Sequence, residues 1–132
     1  MSSPSVIIVD DDPVVVFLHQ FLVKQSELST DPLAFHNGQE ALDHLDSLDH
    51  QNRRSLLLLD INMPTMNGWD LLEAINARSY ADHISAIIVS SSIDINDHKK
   101  AKTYKQVKGY LEKPIRVKEL HDLKTDNFPG FD

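Results

Sequence analysis

Residues 56–70 read LLLLDINMPTMNGWD, an apolar run that ends at Asp60 and continues into a loop with a proline and a glycine. Four consecutive leucines leave no polar face, a pattern typical of a parallel strand that is buried on both faces of its sheet. After Gly68 the apolar residues return at helical spacing, with Leu71, Leu72 and Ile75. The stretch therefore predicts a strand, a loop that opens with a carboxylate, and a helix.

The same alternation of strand and helix patterns extends along the chain. Apolar runs of strand length occur at residues 5–9, 32–36, 55–59, 86–90 and 109–111. The clearest helix follows Asp12 and Pro13, an N-cap and a first-turn proline, and its apolar residues form one continuous stripe: Val14, Phe17, Leu18, Phe21 and Leu22. Five successive βα units predict an α/β fold with a doubly wound parallel sheet and right-handed crossovers.

The later helices differ in the strength of their apolar patterns. One is predicted over 41–48, after the Asn37-Gly38 turn, and a short final helix over 115–124. The segment 94–106 offers few apolar residues among many charges: Ile95, Ala101 and Tyr104. We therefore expect the fourth helix to be weakly anchored to the rest of the molecule.

Composition limits the classes of protein and of site. With 132 residues, 41% of them hydrophobic and 25% charged, the chain is expected to be one soluble domain. The formal charge of −7 argues against a nucleic-acid partner, and the lack of cysteine excludes disulfides and thiolate metal sites. No apolar run is long enough to span a membrane, and the N-terminus does not resemble a secretory signal, so a cytoplasmic location is expected.

Acidic residues follow two strands that are neighbours in the usual arrangement of such a sheet. Asp10 and Asp11 come after the first strand, and Asp60 comes after the third. Ligands of doubly wound sheets bind beyond the carboxyl ends of the strands, so these carboxylates are expected to converge. They would repel by roughly 4 kcal/mol per pair at an effective dielectric constant of about 20. Oxygen ligands without His or Cys beside them favour a hard cation such as Mg²⁺ (or Mn²⁺), and Lys113 after the fifth strand would add a donor for a phosphate oxygen.

Four segments of the chain together resemble one known family. VIIVDDDP (6–13), LLLLDINMPTMNG (56–68), AIIVSSS (86–92) and GYLEKP (109–114) resemble the four signature segments of the receiver domain of two-component response regulators. The resemblance covers residues 5 to about 124. It implies a flavodoxin-like (βα)5 fold with a five-stranded parallel sheet of order 2-1-3-4-5, and a single receiver domain over 1–132 whose residues 125–132 form a flexible tail.

The resemblance also implies a role for each matching residue. Asp60 would be the phosphoacceptor, and Asp10 and Asp11 would hold Mg²⁺ together with Asp60 and the backbone carbonyl of Asn62. Lys113 would pair with Asp60 at rest and with the phosphoryl group afterwards, and Pro114 would follow a cis peptide bond. Ser90 would donate its hydroxyl to a phosphoryl oxygen, and Tyr110 would turn inward in response, so that Ser90 and Tyr110 form the switch.

The implied partners are proteins. A sensor histidine kinase or a histidine phosphotransfer protein would supply the phosphoryl group from a phosphohistidine, and a downstream protein would bind the face made by helix 4, strand 5 and helix 5. No output domain follows residue 124 in this sequence. The expected protein is thus a stand-alone receiver, either a monomer or a weak phosphorylation-dependent dimer, whose signal leaves by protein contact or phosphotransfer.

Several alternatives remain at this stage. An aspartate-nucleophile phosphohydrolase of the haloacid-dehalogenase type also uses Asp and Mg²⁺, but it needs an acidic residue at position 62, which is Asn here. A pseudo-receiver that only binds partners would lack the acceptor, the lysine or the acidic pair, and a nucleotide-binding domain would need a Gly-rich loop. Asp12 is interpreted as a helix cap and not as a third metal ligand. Ser91 would replace Ser90 if the alignment slipped by one residue, and Ser92 and Asn62 would flank the phosphate.

Overall fold

The computed structural model describes residues 4–48, 54–91 and 94–125. Its strands, all parallel, form one sheet of order β2-β1-β3-β4-β5: β1 (Ser5–Val9), β2 (Leu33–Phe35), β3 (Ser55–Leu59), β4 (Ile84–Ser90) and β5 (Val107–Glu112). The helices are α1 (Pro13–Gln25), α2 (Gly38–Ser47), α3 (Gly68–Asn76), α4 (Ile95–Ala101) and α5 (Val117–Thr125), with a short 3₁₀ turn at Ala81–His83. The predicted flavodoxin-like fold and strand order are confirmed.

Helices cover both faces of the sheet, as the uniformly apolar strands require. One core cluster packs alternate strand residues such as Leu57 and Leu59 against α2, α3 and Ala101 of α4. The other packs the intervening residues, such as Leu56 and Leu58, against α1 and α5. Every side chain of β3 and β4 is buried, which accounts for the run of four leucines before Asp60.

Local sequence signals set the ends of the helices. The Asp12 side chain accepts a hydrogen bond from the Val14 N–H at 2.9 Å and caps α1, the role predicted for it. Asn67 caps α3 in a reciprocal capping box with Asp70. Helix α4 ends at Ala101, five residues before the predicted end, because the chain turns there and enters β5 at Val107.

The orientation of α1 differs from the expectation that its continuous apolar stripe packs on the core. Val14, Phe17, Leu18 and Phe21 are 75%, 74%, 42% and 54% exposed, whereas Val16, His19 and Val23 face the sheet. Helix α1 has two apolar faces. The face that packs against the sheet and α5 is rotated from the predicted one, which points to solvent. We call the residues Val14, Phe17, Leu18 and Phe21 the α1 stripe.

Two features lie beyond what the structure tests. Ser92 and residues 126–132 of the predicted tail are outside the described residues, while Thr125 belongs to α5. None of the helices in the described part of the chain reaches the length and hydropathy of a bilayer-spanning segment.

Candidate functional site

The register of the central strands places two carboxylates side by side. Val9 is the last residue of β1 and pairs with Leu59, the last residue of β3. The Asp60 N–H donates to the Val9 carbonyl at 2.9 Å, so the chain is still tied to β1 where the carboxylate side chain begins. Asp10 therefore emerges beside Asp60 at the carboxyl edge of the sheet.

Asp10, Asp11 and Asp60 form an acidic cluster, with one carboxylate oxygen from each lying within 4.8 Å of the other two. Asp10 and Asp60 are buried, at 2% and 6% exposure, whereas Asp11 is open to solvent. One oxygen of Asp10 accepts the Asp12 N–H at 2.9 Å, which fixes its carboxylate against the start of α1. Asp12 turns its own side chain to the helix and is not a member of the cluster.

Lys113 brings a positive charge between the two buried carboxylates. Its Nζ donates to Asp10 Oδ2 at 2.8 Å and lies 3.8 Å from Asp60 Oδ1. The expected pairing with Asp60 is thus an ion pair at a longer distance, and the hydrogen bond goes to Asp10. The backbone N–H of Lys113 donates to the Ser90 carbonyl at 2.8 Å, which anchors the start of this side chain at the carboxyl edge of the sheet. The Lys113–Pro114 peptide bond is cis, the geometry that the resemblance implies.

Burial and like charge both act on Asp60. Burial is the larger cause and the nearby Asp10 carboxylate adds to it, so that the pKa of Asp60 is raised to about 6. The Lys113 ammonium and the Asn62 N–H, 3.3 Å from Asp60 Oδ1, oppose this rise in pKa. The anionic form of Asp60 is therefore costly in the cluster, and added positive charge would stabilise it.

The two predicted switch residues lie on the same side of neighbouring strands. Ser90 ends β4 fully buried, and Tyr110 of β5 pairs with Ile88, two residues earlier on β4. Tyr110 is half-buried, and its ring stacks on His98 of α4 with ring centroids 3.8 Å apart. Ser91 is exposed, so the buried hydroxyl at this edge belongs to Ser90.

Two residues that shape the site were not singled out from the sequence. A Cβ added to Gly68 would lie 2.8 Å from the Asp60 carbonyl oxygen and 2.8 Å from Ile61 Cα, so only glycine lets α3 start this close to Asp60. His19, which is not part of the apolar stripe in the sequence, is buried on the core side of α1, and burial lowers its pKa. The position of Gly68 after the Met-Pro loop is a signal that the sequence offers. The apolar pattern of α1 gives no such signal for His19.

The donor set fits a hard divalent cation. Three carboxylates supply oxygen only, and among the described residues no imidazole belongs to this cluster. Asp11 gives the cluster an opening to solvent, as an ion that keeps part of its water shell requires. The Asn62 N–H donates to Asp60 Oδ1 at 3.3 Å, and the role of the Asn62 carbonyl as a metal ligand stays a prediction.

Such a site can perform nucleophilic chemistry on phosphorus. A buried carboxylate would be the nucleophile, a cation bound by the cluster would offset charge on phosphoryl oxygens, and Lys113 would provide a further cationic donor. Phosphoryl transfer is the class of chemistry that needs this combination of groups.

Comparisons with known proteins identify the family. A family model for the response regulator receiver domain matches residues 6–124. A crystal structure of a response regulator receiver protein from Dyadobacter fermentans superposes with a TM-score of 0.85 and 30% identity, covering 96% of this chain and 99% of that chain.

Curated relatives include proteins of different length. The chain is 28% identical to the chemotaxis protein CheV2 of Helicobacter pylori over 69% of this chain and 28% of that protein. It is 29% identical to the polar-differentiation response regulator DivK of Brucella anthropi over 86% of each. The chain spans less than half the length of several relatives it matches, CheV2 among them. The family model matches most of the chain, and the fold and the acidic cluster are consistent with it. The chain therefore belongs to the response regulator receiver domain family.

Proposed function

We propose that this protein accepts a phosphoryl group on Asp60 and passes the signal to a protein partner by a change at α4 and β5. The observation that carries the proposal is the pairing of a buried acceptor carboxylate with two further carboxylates within 4.8 Å and a lysine ammonium at 3.8 Å. A surface aspartate would need none of these neighbours.

The transfer step uses groups that the structure brings together. An Asp60 oxygen attacks the phosphorus of a phosphohistidine, the P–O bond forms as the P–N bond breaks, and the imidazole leaves with the electron pair. Asp10, Asp11 and Asp60 would hold Mg²⁺, which would neutralise charge on the phosphoryl oxygens. Lys113 would move its ammonium from Asp10 towards the new phosphate, a shift that its present position between the two carboxylates makes short.

The signal would leave the site through Ser90 and Tyr110. A phosphoryl group on Asp60 adds about −1.5 to −2 charge with acceptor oxygens, and the buried Ser90 hydroxyl at the same edge would donate to one of them. Movement of β4 would open space for Tyr110, which now stacks on His98. Because Ala101 is the only fully buried side chain of α4, that helix would shift at little cost.

The donor would be a sensor histidine kinase or a histidine phosphotransfer protein, and the reader a downstream protein that recognises the α4, β5 and α5 face. The relation to response regulators supports a phosphorelay role. A phosphohydrolase of the haloacid-dehalogenase type is not favoured, because the exposed residue two positions after Asp60 is an asparagine amide.

The proposal is tested with acetyl phosphate and Mg²⁺, followed by intact mass spectrometry. We expect the parent to gain ~80 Da, the mass of one phosphoryl group, and Asp60→Asn to gain nothing. Asp43→Asn, an exposed change on α2, is the matched control and should behave as the parent. Full phosphorylation of the Asp60→Asn variant, with the added mass mapped to another residue, would contradict the assignment.

A further inference from the structure

Lysines gather at one end of α4 in a protein that is otherwise strongly acidic. From residue 95 to residue 108 the chain has one acidic residue and five lysines, so this segment has a formal charge of +4. Since the whole chain has a formal charge of −7, the other 118 residues together carry −11. All five lysines are exposed. We call them the basic patch: Lys99, Lys100, Lys102, Lys105 and Lys108.

The basic patch is compact because the chain turns sharply where α4 ends. Lys99 and Lys102 are three residues apart and are therefore neighbours on the helix surface. The Tyr104 N–H donates to the Ala101 carbonyl at 3.2 Å, which turns the chain towards β5. The Lys108 ammonium then reaches back to the Lys105 carbonyl at 2.8 Å.

The chain segment that presents the lysines is fixed to its neighbours. Tyr104 stacks on Trp69 of α3 with ring centroids 5.8 Å apart and donates its hydroxyl to Glu73 at 3.0 Å. The Lys105 ammonium lies 3.0 Å from a carboxylate oxygen of Asp82, in the 3₁₀ turn before β4. The basic patch thus stands on a preorganised surface, which lowers the entropic cost of binding a partner.

Helix stability explains only part of this charge. Lysines near a helix C-terminus favour the negative end of the helix dipole, but Lys105 and Lys108 lie beyond α4. Within the described residues, neither Lys99 nor Lys102 has a side-chain hydrogen bond or ion pair, and Lys108 contacts a neutral carbonyl. Three ammonium groups of the basic patch are therefore without an anionic partner in this part of the chain.

The surroundings of the basic patch favour a short acidic partner over an extended polyanion. Glu73 and Asp82 border it, through their contacts with Tyr104 and Lys105. Duplex DNA or an anionic membrane that extended past the lysines would meet these carboxylates and the negative charge of the remaining surface. A flexible peptide segment with a few carboxylates can pair with the lysines alone, and charge complementarity of this kind selects partners.

We propose that the basic patch docks an acidic segment of a partner protein whether or not Asp60 is phosphorylated. The patch lies where β5 begins, and Lys113 lies beyond its other end, roughly 17 Å of extended chain from Lys108. The contacts that hold the patch come from α3 and the 3₁₀ turn and not from the acidic cluster. Since α4 and α1 cover opposite faces of the sheet, a docked segment would leave the α1 stripe accessible.

Fluorescence anisotropy tests the docking with the unphosphorylated full chain and a labelled peptide in which Glu alternates with Ser. We expect saturable binding that is lost at about 0.5 M salt, and no binding of the same peptide with Gln in place of Glu. The double variant Lys102→Glu with Lys108→Glu should raise the dissociation constant at least about tenfold.

The matched control reverses two exposed lysines on the other face of the sheet. Lys24→Glu with Lys118→Glu changes the net charge equally on α1 and α5, and it should raise the dissociation constant less than about twofold. Circular dichroism of both double variants checks that they are folded.

Nuclear magnetic resonance of the labelled protein locates the peptide. Changes in amide chemical shift should concentrate in 99–108 and stay small at Asp10, Asp11 and Asp60. Mg²⁺ with beryllofluoride, which mimics a phosphoryl group on Asp60, should alter the dissociation constant less than about twofold.

The contrary outcomes are distinct. Absence of saturable binding overturns the proposal, as does equal weakening in the two double variants, which would show an effect of net charge alone. Binding only with beryllofluoride would make the basic patch part of the switched surface and overturn its independence from phosphorylation. Duplex DNA or vesicles of anionic lipid that bind more tightly than the peptide would assign the patch to that class of partner. The anisotropy experiment uses unphosphorylated protein, so its failure leaves the phosphoacceptor role of Asp60 untouched.

Discussion

At the scale of single residues, the site combines groups that destabilise one another. Asp60 is buried beside Asp10, and one lysine ammonium is shared between them at 2.8 Å from Asp10 and 3.8 Å from Asp60. The raised pKa of Asp60 reflects the cost of placing a charged carboxylate there. Such a cost is typical of functional sites, where charge is positioned for chemistry and not for stability.

Asp60→Asn should therefore stabilise the protein at neutral pH. The pKa of Asp60 is about 6 when folded against a usual value of 3.8, so the folded state binds the proton more tightly and stability falls as pH rises from about 4 to about 6. The neutral amide of Asn avoids that loss of stability. We expect Asp60→Asn to raise the free energy of unfolding by an amount on the order of 3 kcal/mol at pH 7.5 and close to zero at pH 4. Urea unfolding of both proteins at the two pH values measures the difference. Asp43→Asn serves as the control, and an equal effect of Asp60→Asn at both pH values would contradict the cause given.

Gly68→Ala should disturb the site through the backbone. The added Cβ would approach the Asp60 carbonyl oxygen at 2.8 Å, and backbone gives way less easily than a side chain, so we expect a loss of about 1–3 kcal/mol. At Gly109 the added Cβ would meet only the Ile87 Cδ1 methyl group at 3.1 Å, which makes Gly109→Ala the matched control. Urea unfolding compares the two variants. Equal losses would mean that the close approach at Gly68 is not special.

At the scale of elements, α4 is held mainly by contacts of its partly exposed side chains, because it buries little apolar surface. Besides Ala101, the His98–Tyr110 stack attaches α4 to β5, and the Lys100 ammonium lies 5.0 Å from the centre of the Trp69 ring. Tyr104 follows the helix, stacks on Trp69 and donates its hydroxyl to Glu73 at 3.0 Å. The C-terminal end of α4 is thereby tied to α3, while Ile95 at its start is exposed.

His98→Ala should loosen α4 without unfolding the domain. Loss of the stack removes the contact between this helix and Tyr110, so amide hydrogen exchange in 95–101 should quicken by about tenfold, the equivalent of ~1.4 kcal/mol, while exchange in β1 and β3 stays unchanged. Lys99→Ala, an exposed change on the same helix, is the control. Faster exchange throughout the sheet would show a global effect and contradict a local role for His98.

At the scale of the whole molecule, two helical layers hold the strand ends in register, and the acidic cluster depends on that register. Asp10 and Asp60 meet because β1 and β3 end level with each other, and Lys113 joins them because the chain after β5 is bonded back to Ser90. A ligand of this cluster binds the folded state and not the unfolded chain, so it should stabilise the entire domain.

Mg²⁺ at ten times its dissociation constant should raise the free energy of unfolding by about 1.4 kcal/mol. Asp11→Ala should remove most of this gain, because the ion would lose one of its three carboxylate ligands. The fold should survive the change, since Asp11 is exposed and the buried Asp10 and Asp60 stay in place. Thermal unfolding with and without Mg²⁺ measures both, and Asp31→Ala, an exposed change far along the chain from the cluster, is the control. A parent protein whose melting temperature ignores Mg²⁺ would contradict the metal site.

The sequence alone determined the order of strands and helices, the cap at Asp12 and the residues that gather at the carboxyl edge of the sheet. These follow from local patterns: apolar runs before Asp10 and Asp60, and the rule that parallel strands present their carboxyl ends together. The end of α4 was less predictable, because its few apolar residues leave the boundary to the turn that precedes β5.

Only the tertiary structure decided which face of α1 is buried and which carboxylate holds Lys113. Periodicity shows that apolar residues share a side of a helix, but α1 has two apolar faces, and contact with the sheet and α5 selects the one with Val16 and Val23. The hydrogen bond from Lys113 goes to Asp10 because the ammonium lies 2.8 Å from that carboxylate and 3.8 Å from Asp60, and these distances depend on how three chain segments pack. Spacing along a chain fixes neither, because both depend on how separate elements pack in space.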